Sequence, residues 1–228
     1  MNLNKSYDFF KPELAQGRIH IIGCGSVGSA VAELLARCGL KVFTLWDFDK
    51  VESKNICNQM FVEKHIGMPK VEALKDILLD INPEIKAGLK LKPKGWQGER
   101  LSGYVFLAVD SIEVRQDFVK KHFDSPTIKA VFDFRTALTG GQHYSADWSD
   151  LSQKENLLAS MDFTHEEAVA DTPTSACGET LGVATTVRIV SSLGVNNFIK
   201  WLKGEGNWKF VQFDGFQGVL DAFKEVIV

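Results

Sequence analysis

At 228 residues, with 45% hydrophobic and 24% charged side chains, the chain can build one α/β domain with a sizeable core, and its make-up is that of an ordinary globular protein. A formal net charge of −3 leaves no electrostatic footprint for nucleic acid or an anionic membrane, and no apolar run could span a bilayer or act as a signal peptide, so a cytoplasmic protein is expected. The four cysteines, Cys24, Cys38, Cys57 and Cys177, include no C-x-x-C pair, which argues against a disulfide framework and against a cysteine-built structural zinc.

Residues 1–17 read as a polar arm whose Tyr7, Phe9, Phe10 and Pro12 pack on the domain or on a second subunit. Residues 18–228 read as a single domain. Arg18 to Ile22 reads as a buried strand, followed by Gly23, Gly25 and Gly28 in G-x-G-x-x-G spacing and a helix from Val27 to Cys38. A second apolar run, Val42 to Trp46, ends on Asp47. The loop of residues 48–68 carries Asp49, Asn55, Asn58 and Gln59. Pro69 suits the first turn of a helix, Val71, Leu74, Ile77, Leu78 and Ile81 recur at helical spacing, and Asn82-Pro83 ends the run. Glu84 to Leu91 alternates as a strand, with Ile85, Ala87, Leu89 and Leu91 on one face.

After a polar connection from Lys92 to Ser102, Tyr104 to Val109 reads as a buried strand that ends on Asp110. Ile112 to Phe123 reads as a helix and Thr127 to Phe134 as a strand. Gly140-Gly141 breaks the chain before a short strand around Gln142 to Ser145. This alternation predicts a doubly wound, mostly parallel sheet. From Asp147 to Ser175 the pattern dissolves, as expected of a functional or mobile connection. Gly182 to Lys203 forms a long apolar helix, and Trp208 to Phe213 and Leu220 to Val228 close the chain as strands.

The glycine spacing carries the first chemical signal. Glycines allow a sharp turn after the strand, close approach of backbone N–H groups to a phosphate, and tight helix packing. The helix N-terminus adds partial positive charge, and an acid ending the second strand can accept hydrogen bonds from a ribose. A tight turn in another α/β fold and a nicotinamide-binding unit both remain open on these residues alone. Beyond Trp46 the chain departs from a nicotinamide unit: it reads D-F-D-K-V-E-x-x-N-x-x-x-Q, then I-G-x-P-K-V-E-A-L, then I-N-P. This continuation resembles the ThiF/MoeB/HesA family, relatives of the ubiquitin-activating enzymes.

The resemblance implies a Rossmann-like doubly wound, mostly parallel sheet with a few antiparallel C-terminal strands. It also implies an adenylyltransferase that combines ATP with a carboxylate to give an acyl-adenylate and pyrophosphate. The usual carboxylate is the C-terminus of a ubiquitin-like or sulfur-carrier protein. In that reading Gly23, Gly25 and Gly28 cradle the phosphates and Asp47 contacts the ribose. Lys70 reaches the phosphates, and Asp110 binds magnesium. Asn55 and Gln59 hold the loop against the phosphates, while Asp49 binds nucleotide or caps the loop. Cys177, before the final helix, would accept the acyl group or pack as a small hydrophobe. A homodimer is implied as well.

Three departures qualify the resemblance. Asn58 stands where the family motif N-x-x-R-Q has an arginine, and offers hydrogen bonds without a charge. Residues 1–17 contain no arginine of the kind that reaches a partner's site. The paired C-x-x-C zinc motifs are missing. Arg135 either compensates by binding phosphate or the acyl carboxylate, or forms a structural ion pair with Asp133. Two further readings stand beside the first: a family member that binds ATP or a partner without efficient activation, and a NAD-dependent oxidoreductase.

Overall fold

The computed structural model describes residues 1–164, 166–167, 174 and 181–224. Its centre is a sheet of eight strands in the order β3-β2-β1-β4-β5-β6-β7-β8, where β1 is Ile19–Ile22, β2 Phe43–Trp46, β3 Lys90–Lys92 and β4 Gly103–Leu107. The remaining strands are β5 (Ile128–Thr136), β6 (Gly140–Asp147), β7 (Phe210–Asp214) and β8 (Val219–Phe223). Strands β3, β2, β1, β4 and β5 run parallel, and β6, β7 and β8 follow antiparallel. The architecture is therefore the Rossmann-like, mostly parallel sheet with antiparallel C-terminal strands that the sequence implies.

Strands β1, β2 and β4 are buried along their whole length, as parallel strands between two helical layers must be. Their period-2 alternation divides the core. Ile21, Leu45, Phe106 and Phe132 face a cluster with α1 (Ser26–Arg37), α2 (Lys70–Ile81) and the long final helix, here α5 (Ala184–Leu202). Ile22, Trp46, Val105 and Val131 face the other cluster, with α3 (Ile112–His122) and α4 (Leu151–Ala159). Aromatic rings join the first layer to the sheet: Phe198 of α5 meets Phe106 and Phe132 edge-on, each at 5.2 Å between centroids. No helix among the described residues is long and apolar enough to cross a membrane.

Several expectations require correction. Glu84 to Leu91 is not a strand: Pro83–Ala87 turns as a 3-10 helix because Asn82 Oδ1 accepts the Glu84 N–H at 3.2 Å and Pro83 starts the turn. The alternating residues there do not share a buried face, since Ile85 is buried while Ala87 is exposed. The strand shrinks to Lys90–Lys92, paired with Thr44–Trp46. Gly140-Gly141 does not precede the next strand but opens it, because the strand is longer than its apolar pattern. Within Asp147 to Ser175 lies α4, capped by Asp150 accepting the Gln153 N–H; only two of its residues, Gln153 and Leu157, are buried, so its stripe is too thin to read as a helix. In the arm, Phe10 enters the core while Phe9 stays exposed. The final strand stops at Phe223, and residues 225–228 lie outside the described set.

Candidate nucleotide site

The C-terminal ends of β1, β2 and β4 open on one edge of the sheet, where ligands bind in folds of this kind. The three glycines of the first turn do different things there. Gly23 has φ +90°, and a Cβ on it would lie 2.6 Å from the Ala108 carbonyl oxygen. A Cβ on Gly28 would be driven into the Gly23 carbonyl. Both positions are therefore fixed by packing. Gly25 is not: the nearest atom to a Cβ there is Gln59 Nε2, at 4.0 Å. Gly25 is also the N-cap of α1, and no side chain caps that helix. The first-turn N–H groups have no intrahelical acceptors, so the floor at Gly25 suits an anion such as a phosphate.

Asp47 closes this floor from β2. Its Oδ2 accepts the Cys24 N–H at 2.6 Å and its Oδ1 accepts the Asp49 N–H at 2.8 Å. Burial pushes its pKa up, against those two N–H donors and the charge of Lys70. Each carboxylate oxygen keeps a lone pair for a further donor. Cys24 itself is wholly buried, and burial raises its thiol well above the ordinary range, which makes it a packing residue.

The loop beyond Asp47 is tied together by its own polar groups. Lys70, the first residue of α2, donates its N–H to the Asp49 carbonyl at 2.9 Å, and its ammonium lies 2.8 Å from Asp49 Oδ2. Asn55 Oδ1 accepts the Glu52 N–H at 2.9 Å. Asn58 Nδ2 reaches the Gly182 carbonyl at 3.5 Å, just before α5. Gln59 lies beside Gly25, and its Oε1 is buried without a hydrogen-bond partner. Asp110 stands exposed three residues beyond β4.

Behind Asp110 is a buried ionic cluster. Arg115, on α3, donates from Nε to the Val109 carbonyl at 2.9 Å and reaches the same oxygen from Nη2. Its Nη1 pairs with Asp133 Oδ1. Arg135 pairs with the other oxygen, Nε to Oδ2 at 2.8 Å. Burial opposes the charge on Asp133, yet Arg115 and Arg135 together hold its carboxyl below the usual range. Arg135 also donates to Ser160 O and Oγ, at 2.7 and 2.9 Å, and its guanidinium sits 4.4 Å over the Tyr144 ring. Ser160 is the C-cap of α4, whose negative dipole end offsets the second guanidinium. The structure thus realises the Asp133 ion pair for Arg135.

Along its length the chain matches the ThiF family, over residues 8–226. It belongs to the ThiF family. Ubiquitin-like modifier-activating enzyme 5 of Xenopus laevis is 26% identical over 236 residues, which cover 90% of this chain and 55% of the relative. Its Caenorhabditis elegans namesake is 41% identical over 68 residues, 30% of this chain and 16% of that protein. The chain thus spans about half the length of the first of these relatives and a smaller part of the second. Escherichia coli MccB, crystallised with ATP, has the same fold, with a TM-score of 0.72 at 16% identity over 92% of this chain and 64% of MccB.

Within the ThiF-family chain, the structure gathers Gly23, Gly25, Gly28, Asp47, Asp49, Lys70 and Gln59 around one turn, and holds Asn55 and Asn58 in the adjoining loop. Cys177 lies outside the described residues. Sequence reasoning missed Arg115. The available signal was a cation placed near the positive N-terminal end of α3, where the helix dipole disfavours it unless a partner holds it.

Proposed function

We propose that this ThiF-family chain is an ATP-dependent adenylating enzyme acting on a carboxylate, most simply the C-terminus of a ubiquitin-like or sulfur-carrier protein. The observation that carries the reading is the pairing of an open, uncapped helix N-terminus at Gly25 with a buried acid, Asp47, on the adjacent strand. Phosphates fit the first and a ribose the second. The names of the relatives, ubiquitin-like modifier-activating enzymes, support the substrate class.

In this reading Lys70 neutralises phosphate charge, and Asp49 keeps its ammonium in place. No group of three acids, histidines or cysteines among the described residues could hold a metal unaided. Asp110 would therefore hold magnesium together with the triphosphate, as that ion commonly binds through one carboxylate and phosphate oxygens. When bound, magnesium supplies charge neutralisation at the phosphates. A carboxylate oxygen of the substrate attacks the α-phosphorus, the bond to the bridging oxygen breaks, and pyrophosphate leaves. Cys177 would then attack the acyl carbon as thiolate and release AMP. A cytoplasmic homodimer completes the proposal.

The test is ATP–pyrophosphate exchange with purified candidate carriers, beside titrations with ATP and NADH. Carrier-dependent exchange that is lost in Lys70→Ala and Asp110→Ala supports activation. ATP binding without exchange favours a second reading, a nucleotide-binding relative without efficient activation. That reading is motivated by Asn58 in place of an arginine and by the engagement of Arg135 with Asp133 and Ser160. NADH binding in preference to ATP would overturn both.

A further inference from the structure

We propose that the outer edge of β3, with the apolar groove between it and α2, docks an extended peptide segment of a partner protein in which apolar and acidic residues alternate. The groove has a volume of about 400 Å³ and is lined by Lys75 and Leu79 of α2 and by Lys86, Leu89 and Leu91. Its three leucines rest on the core of the α2 layer but stay half-buried, so apolar surface is left open beside two lysines. The groove lies at the margin of the sheet, two strands out from the phosphate floor at the end of β1. Its occupancy does not depend on the ATP reading.

The backbone of β3 is ready for a further strand. β3 begins the sheet and pairs only with β2. Lys92 turns its carbonyl to β2, where it accepts the Asp47 N–H at 3.3 Å. Successive residues of a strand direct their backbone groups to opposite edges, so Leu91 turns its N–H and C=O outward, where no strand follows. Side chains alternate between the two faces in the same way. Leu91 shares a face with its register partner Leu45, in the cluster that contains α2. Lys90 and Lys92 take the opposite face, and the Lys92 ammonium lies 5.4 Å from the centroid of the Trp46 ring. A strand added at this edge therefore sets every second side chain into the groove and the intervening ones beside Lys90 and Lys92.

Charge selects the occupant. The acids flanking the groove are already engaged: Glu72 and Asp76 pair with Lys75, and Glu84 pairs with Lys41 and the N-terminal ammonium. Lys86, Lys90 and Lys92 are exposed and have no ion pair among the described residues. A second copy of this chain is a poor occupant, because pairing two β3 edges sets like charges against each other. A segment with an acid at every second position meets Lys90 and Lys92 with the opposite sign. Apolar residues between the acids fill the groove against Leu79, Leu89 and Leu91. Main-chain bonds along Leu91 then contribute affinity, and the two faces contribute specificity.

The experiment is fluorescence anisotropy of the full chain with a dye-labelled peptide of about seven residues that alternates glutamate and leucine. The expected result is saturable binding below about 1 mM that weakens as salt is raised. Replacing the glutamates by lysine, or the leucines by serine, abolishes it. Methylating the backbone nitrogens of the leucines blocks one edge of the peptide, and methylating those of the glutamates blocks the other. One of these two forms loses binding and the other keeps it. In the protein, Lys90→Glu together with Lys92→Glu weakens binding about tenfold, with a thermal melt like that of wild type. The site is overturned if no saturable binding occurs by about 1 mM, if the lysine peptide binds equally well, or if the double variant binds as wild type does. Equal binding of both methylated forms overturns strand addition. Binding of laurate in the absence of any peptide binding also overturns it, and assigns the groove to a free acyl chain.

Discussion

The Lys70 ammonium and the Asp49 carboxylate lie 2.8 Å apart, yet the lysine side chain is 10% exposed and the aspartate 50%. The pair is thus asymmetric: water can replace the partner of Asp49 but not that of Lys70. Asp49→Ala is expected to destabilise the protein by about 1–3 kcal/mol, the cost of an unpaired buried polar group. Lys70→Ala should cost less stability while reducing ATP–pyrophosphate exchange by about 100-fold or more, if Lys70 meets charge that develops in the transition state. Urea unfolding and exchange rates on the two variants measure the crossed pattern.

The glycines of the first turn should separate folding from binding. Gly25→Ala meets no atom closer than 4.0 Å, and its thermal unfolding should match wild type. ATP affinity should fall about tenfold or more, because the methyl group fills the place of a phosphate. Gly28→Ala should fail to give a stable protein, since its Cβ is driven into the Gly23 carbonyl. Thermal melts and an ATP titration distinguish the two.

Asp133 is fully buried between two guanidiniums. Asp133→Asn removes the shared anion and should cost about 3–5 kcal/mol, the typical penalty for stranding a buried partner charge. Because the folded pKa of Asp133 is lowered, its contribution is present above the unfolded value of about 3.9. It is lost as pH falls towards the lower folded value. Urea unfolding of wild type and Asp133→Asn at pH 7 and pH 3.5 should show the difference between them shrinking at the lower pH.

His20 and His143 predict a separate loss of stability in mild acid. Burial lowers both to about 4. The neutral rings are fixed by their hydrogen bonds: Trp46 Nε1 donates to His20 Nδ1, and Asn197 Nδ2 to His143 Nε2. Between pH 6.5 and 4 the unfolded chain binds protons that the folded chain refuses, so stability falls as pH is lowered through that window. The expected loss is about 2 kcal/mol per histidine between pH 7 and 5. Urea titrations at the two pH values, repeated on His20→Gln, check the slope; the variant should lose part of it.

Much of the sheet was legible because its parallel strands are short apolar runs buried on both faces, bounded by glycines and acids. Ile19–Ile22 and Phe43–Trp46 are examples. Glu84–Leu91 misled because alternation alone cannot outweigh a local cap, and Asn82 with Pro83 commits that segment to a turn. Leu151–Ala159 was hidden because one apolar side chain, Leu157, and one amide, Gln153, are all it buries. In the site, the glycine and acid positions could be read from spacing, since each answers to backbone geometry. The shared use of Asp133 by Arg115 and Arg135 could not, because it depends on side chains meeting across α3 and β5.

Asn58 touches the carbonyl of Gly182, 124 positions later in the chain, and a Cβ on Gly182 would approach Asn58 Nδ2 to 2.7 Å. An engineer wishing to reinstate a guanidinium at position 58 would therefore face a problem of route as well as of charge. A longer side chain at this half-exposed position gives up the hydrogen bond to the Gly182 carbonyl, so the swap trades electrostatic gain against the tie between this loop and the segment entering α5.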